Sequence, residues 1–91
     1  MTQTQYDSFI KIFQDRLTEA EAMIAKLESR MASIEECLKE DRENGLWVSY
    51  GEDIHRLGDL VRDHRNWIGR RNSYREALST GKAYRPEIVE E

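Results

Sequence analysis

The sequence predicts an all-α fold, a long helical hairpin (αα-hairpin) with coiled-coil character. Three observations carry that prediction. Apolar residues alternate at spacings of four and three from Tyr6 to Leu38, no glycine or proline precedes Gly45, and a second broad apolar face follows a short glycine-bearing turn.

The first helix rests on the heptad. Ile10, Leu17, Ile24, Met31 and Leu38 take the a positions, and Tyr6, Phe13, Ala20, Leu27 and Ile34 take the d positions. The residues between them are mostly good helix formers such as Ala, Glu, Lys, Arg and Gln. The expected helix runs over about residues 4–42 and would be roughly 55–60 Å long at ~1.5 Å per residue. A rod of that length needs apolar cover along its side. Ile10, Phe13, Leu17, Ile24, Leu27, Met31, Ile34 and Leu38 are therefore expected to form an oligomer seam. Arg16 and Arg30 stand at g, and Glu21, Glu28 and Glu35 at e. In a parallel pair Arg16 would meet Glu21 of a neighbour and Arg30 would meet Glu35; as solvated charges they would contribute little, about 0–1 kcal/mol per exposed pair.

The turn is expected over about 43–49. Asn44-Gly45 tolerates the positive φ that follows a helix end, and Ser49 with Glu52 reads as a capping box for the next helix. So short a link makes the helices antiparallel neighbours. Three readings stand for the apolar "LWVSY": Trp47 and Val48 plug the open end of the seam, Trp47 faces outward as a partner anchor, or the segment is a short β-like strand.

The second helix is expected over about 50–79, with Ile54, Leu57, Leu60, Val61, His64, Trp67, Ile68, Tyr74, Ala77 and Leu78 on one broad face and Gly81 marking its C-terminal side. Gly58 and Gly69 fall within ~20° of each other on the helix and would admit a close neighbouring backbone. Folding about Leu46 and Trp47 sets Leu27 near Trp67, Ile34 near Leu60, and Ala20 near Tyr74. It also leaves Tyr6, Phe9, Ile10 and Phe13 beyond the second helix, so Tyr6, Phe9 and Trp47 are expected at a partner interface. The hairpin thus occupies residues 1–81. Residues 82–91 form a tail that either folds back over that end or docks on a partner.

Composition narrows the function. The 91 residues make one small domain, 38% hydrophobic and 35% charged, with a mean hydropathy of −0.81. The net charge of −4 argues against a general nucleic-acid binder. A lone cysteine, Cys37, excludes an intrachain disulfide and, without a signal peptide, points to synthesis in the cytoplasm. No apolar run approaches the ~18–20 residues of a membrane span.

The most site-like cluster is "RDHRNWIGRRNSYR", where Arg62, Arg65, Arg70, Arg71 and Arg75 surround Trp67 and Tyr74. Interleaved basic and aromatic side chains suit phosphate or a nucleotide. The simpler reading is neutralisation by Glu21, Glu28 and Glu35 of the first helix. His55 and Asp59 share a helical face, with Asp63 a turn further, but this is a common spacing in charged helices, and no metal or cofactor is expected. His64 reads as a hydrogen-bonded packing residue. No nucleophile–base pair or phosphate-binding glycine loop is recognisable, so no catalytic residue is expected.

From Trp47 to Arg71, "WVSYGEDIHRLGDLVRDHRNWIGRR" resembles small bacteriophage head-to-tail joining proteins of the lambda W type. In these a short β-like segment leads to a helix with a Leu/Ile/Trp face and a basic end. The likeness covers about a quarter of the chain, which departs from the family in its longer first helix and in lacking a second strand. It implies a non-enzymatic virion protein, several copies in a ring, with Arg70, Arg71 and Arg75 at an interface or lining a DNA lumen. The expected function is accordingly a self-associating structural or adaptor protein, a homo-oligomer that meets other virion or host proteins and joins a virion after cytoplasmic synthesis. The alternative is a small phage or bacterial inhibitor that binds a host protein, or a nucleotide at an inter-subunit arginine cluster.

Overall fold

The computed structural model describes residues 1–89. Two helices make up the fold, α1 (Gln3–Glu43) and α2 (Trp47–Ala83), packed side by side as an antiparallel hairpin. The all-α hairpin expected from the sequence is the observed architecture. It is a rod of 69 × 15 × 14 Å with a radius of gyration of 20.3 Å, against about 12 Å for a compact domain of this length.

Helix α1 opens on a reciprocal cap that the sequence reading passed over. Gln5 N donates to Thr2 Oγ1 at 3.2 Å, and Thr2 N donates to Gln5 Oε1 at 2.9 Å. At the other end Gly45 adopts φ 67°. There Leu46 N donates to Asp41 O at 2.8 Å and Gly45 N to Arg42 O at 3.4 Å, a Schellman closure that uses the last free carbonyls of α1.

That closure corrects the expected turn. Leu46 ends one helix through its N–H and begins the next through its carbonyl, which accepts from Tyr50 N at 2.9 Å. Only Asn44, Gly45 and Leu46 lie between the helices. Ser49 and Glu52 are therefore inside α2 and form no capping box, and the "LWVSY" segment is helix rather than strand from Trp47 onward.

The seam of α1 is covered by α2. Tyr6, Ala20, Ile24, Leu27 and Ile34 are buried, as is Leu78 of α2, and Ala20 is fully enclosed at 0% exposure. Ile10, Phe13, Leu17, Met31 and Leu38 remain half-buried. Two helices cover only one side of each other, so among the described residues no large side chain is completely shielded from water. Ile34 and Leu60 line one cleft, in agreement with the register set by folding about the turn. The half of the seam that faces α2 is consumed inside the chain, antiparallel, and the parallel Arg16–Glu21 and Arg30–Glu35 pairs have no place in this contact. Within the chain Glu21 pairs with Arg75 instead, at 3.4 Å.

The open end also departs from expectation. Helix α2 continues past residue 79, through Gly81, to Ala83, and so reaches the aromatics at the start of α1. A Cβ on Gly81 would stand 2.6 Å from Phe9 Cε1, so this glycine makes room for a ring rather than ending the helix. Phe9 packs on Phe13 (5.1 Å between centroids) and Phe13 on Tyr74 (6.1 Å). The tail then folds back: Arg85 lies over the Tyr6 ring at 5.3 Å, and Val89 N donates to Met1 O at 2.9 Å. Tyr6 is buried and Phe9 half-buried by the chain's own residues, contrary to the expectation that the hairpin would leave them bare.

Candidate functional site

The arginines of α2 do not converge. They lie on a helix whose successive residues turn by about 100°, and four of the five meet separate neighbours. Arg62 pairs with Asp59 at 3.6 Å, Arg75 with Glu21 at 3.4 Å, Arg70 stacks over Trp67 at 4.6 Å, and Arg71 donates to Asn72 Oδ1 at 3.3 Å. Arg65 is exposed. Of the three glutamates expected to neutralise them, Glu21 meets an arginine, while Glu28 meets His64 at 3.1 Å. His64 is thus a hydrogen-bonded residue at the edge of the seam. His55 and Asp59 approach to 3.9 Å on the open surface. Among the described residues no three His, Cys, Asp or Glu side chains gather around one point. Open clefts flank the seam, one of about 400 Å³ between Arg30, Ser33, Ile34, Arg56, Asp59 and Leu60.

Two buried carboxylates went unnoticed in the sequence. Asp41 and Asp53 are each only 8% exposed. Counting seven from Ile34 puts Asp41 at the next d position, so the heptad itself held the signal. The pair closes the seam just inside the turn. Arg56 donates to Asp53 Oδ1 at 2.9 Å, whereas Oδ2 of Asp41 has no partner. The pKa of Asp41 is raised above the ordinary 3.8 by a hydrogen bond to the Asp53 side chain, then by burial, then by the charges of Asp53 and Glu40.

An apolar surface runs along the flank of α2. Trp47 is 63% exposed and rests edge-on against Tyr50, with ring centroids 5.9 Å apart. It does not plug the hairpin end. Trp47 is the first residue of α2, and its indole stays mostly in water rather than covering the end of the seam. Ile54 is likewise exposed, and Val61 and Ile68 are half-buried. These four apolar residues recur every seven positions, and Gly51 and Gly58 fall between the first three. A Cβ on Gly51, Gly58 or Gly69 would meet nothing within 4 Å. The close backbone approach expected at Gly58 and Gly69 is therefore absent inside the chain. Each glycine still costs the helix about 0.8–1.0 kcal/mol relative to alanine.

These features define an elongated all-α hairpin with an apolar flank and, among the described residues, no cluster of metal-ligating side chains. No family model matches the chain, and neither a curated protein nor a solved structure does.

Proposed function

We propose that this protein is a non-enzymatic, self-associating building block, an adaptor whose working form contains more than one copy of the hairpin. The observation that supports it is the incomplete core: five seam residues of α1 stay half-buried, while Trp47 and Ile54 lie open on the flank of α2. The accessible surface is 6771 Å², against about 5,500 Å² for a compact protein of this mass. The difference exceeds the roughly 800 Å² per partner that a standard interface removes.

The narrower reading, a virion or head-to-tail connector component, is supported by the likeness over residues 47–71. Its β-like segment is helix in this chain, so the self-association reading rests on the apolar surface and stands apart from that likeness. Light scattering over a concentration series tests it. The expected result is a mass above that of one chain at micromolar concentration; a monomer persisting at high micromolar concentration refutes it.

A further inference from the structure

The flank of α2 carries a second seam, distinct from the one that packs on α1. Trp47, Gly51, Ile54, Gly58, Val61, Arg65 and Ile68 follow one another at alternating spacings of four and three. Large and small residues alternate through its first half. We propose that this face docks antiparallel on the same face of a second copy, helix α2 against helix α2. The proposal rests on the self-association reading and names the surface that serves it.

The second copy is chosen because the pattern is self-complementary. Two such seams run antiparallel with Ile54 of each chain opposite Gly58 of the other bring Val61 opposite Gly51 and Trp47 opposite Arg65. Each branched side chain then enters the space left by a glycine, as an isologous contact requires. Each indole meets a guanidinium, a pairing that aromatic faces favour. From Trp47 to Arg65 the contact runs along about 27 Å of helix. The otherwise unexplained glycines gain a reason: with no Cβ and nothing near them in their own chain, they let two helix backbones come close. Trp47, 63% exposed in one hairpin, becomes an anchor at each end of the contact.

The test uses the full chain with Gly51→Gln and Gly58→Gln together. Both positions face open space within the chain, so helicity by circular dichroism should be retained. Self-association should weaken at least tenfold by light scattering. A second measurement replaces Trp67 with Phe, leaving Trp47 as the only indole, whose emission should shift to the blue as concentration drives association. Unchanged association of the glycine variant, or a hydrated Trp47 emission in an assembled sample, overturns the proposed surface while leaving self-association intact. A wild-type chain that stays monomeric throughout overturns both.

Discussion

The two ends of the hairpin are built on opposite principles. At the turn, the seam ends in two buried carboxylates, Asp41 and Asp53, while Leu46, Trp47, Val48 and Ile54 stand in water. At the open end the rings of Tyr6, Phe9, Phe13 and Tyr74 cluster inward, Gly81 gives way to Phe9, and Arg85 and Val89 close over the start of α1. The covalent turn explains the difference. Near Gly45 the helices are tied together by the chain, so little entropy is lost in keeping them adjacent and a poor layer is tolerated. The open end has no such tether and must be held by packing. Apolar residues left outside the turn make the tip an exposed apolar surface rather than a plug.

The largest test of this contrast moves the turn's chemistry into the middle of the rod. Leu27→Asp places a carboxylate at a buried d position far from the tether. The loss should exceed the about 2–5 kcal/mol of truncating a buried leucine and remove most of the helical signal at 25 °C. If circular dichroism shows a folded variant, tethering is not what permits the Asp41–Asp53 layer.

A smaller effect is expected at the open end. Phe9→Ala removes a half-buried ring that sits against Gly81 and Phe13, so about 1–3 kcal/mol should be lost, less than for a fully enclosed aromatic. Proteolysis of the tail after residue 83 should quicken in parallel. An intact tail in the destabilised variant would show that Phe9 does not support it.

The gentlest change acts on the carboxylates. Asp41→Leu should raise the melting temperature, because it replaces a buried oxygen that lacks a partner with a side chain suited to a d position. The pH dependence has a defined sign. The folded state holds the Asp41 proton more tightly than the unfolded chain, so this residue's contribution should rise as pH falls through its raised pKa and level off near the ordinary 3.8. Comparing stability against pH in wild type and Asp41→Asn isolates that share. Identical profiles would mean that the folded state holds the Asp41 proton no more tightly than the unfolded chain does.

Much of the architecture was legible in the residues themselves. The alternation from Tyr6 to Leu38 and the Asn44-Gly45 stop determined two antiparallel helices, because helical periodicity and positive φ are local properties of the chain. The same periodicity, carried one step further, reaches Asp41; it went unread because a carboxylate does not look like a seam residue. The Ser49–Glu52 cap failed because the Schellman closure at Gly45 left Leu46 to start α2 at once, and hydrogen bonds compete for backbone groups in three dimensions. Ile54, Val61 and Ile68 were hidden in the sequence among the other apolar residues of a single broad face, while Trp47 reads as a turn residue. Only packing divided that face, since α1 can cover no more than the side turned toward it. So the sequence alone determined helix, turn and antiparallel order, all products of short-range chemistry. The tertiary structure decided which apolar residues were used inside the chain and which were left outside, because burial depends on what the rest of the chain can reach.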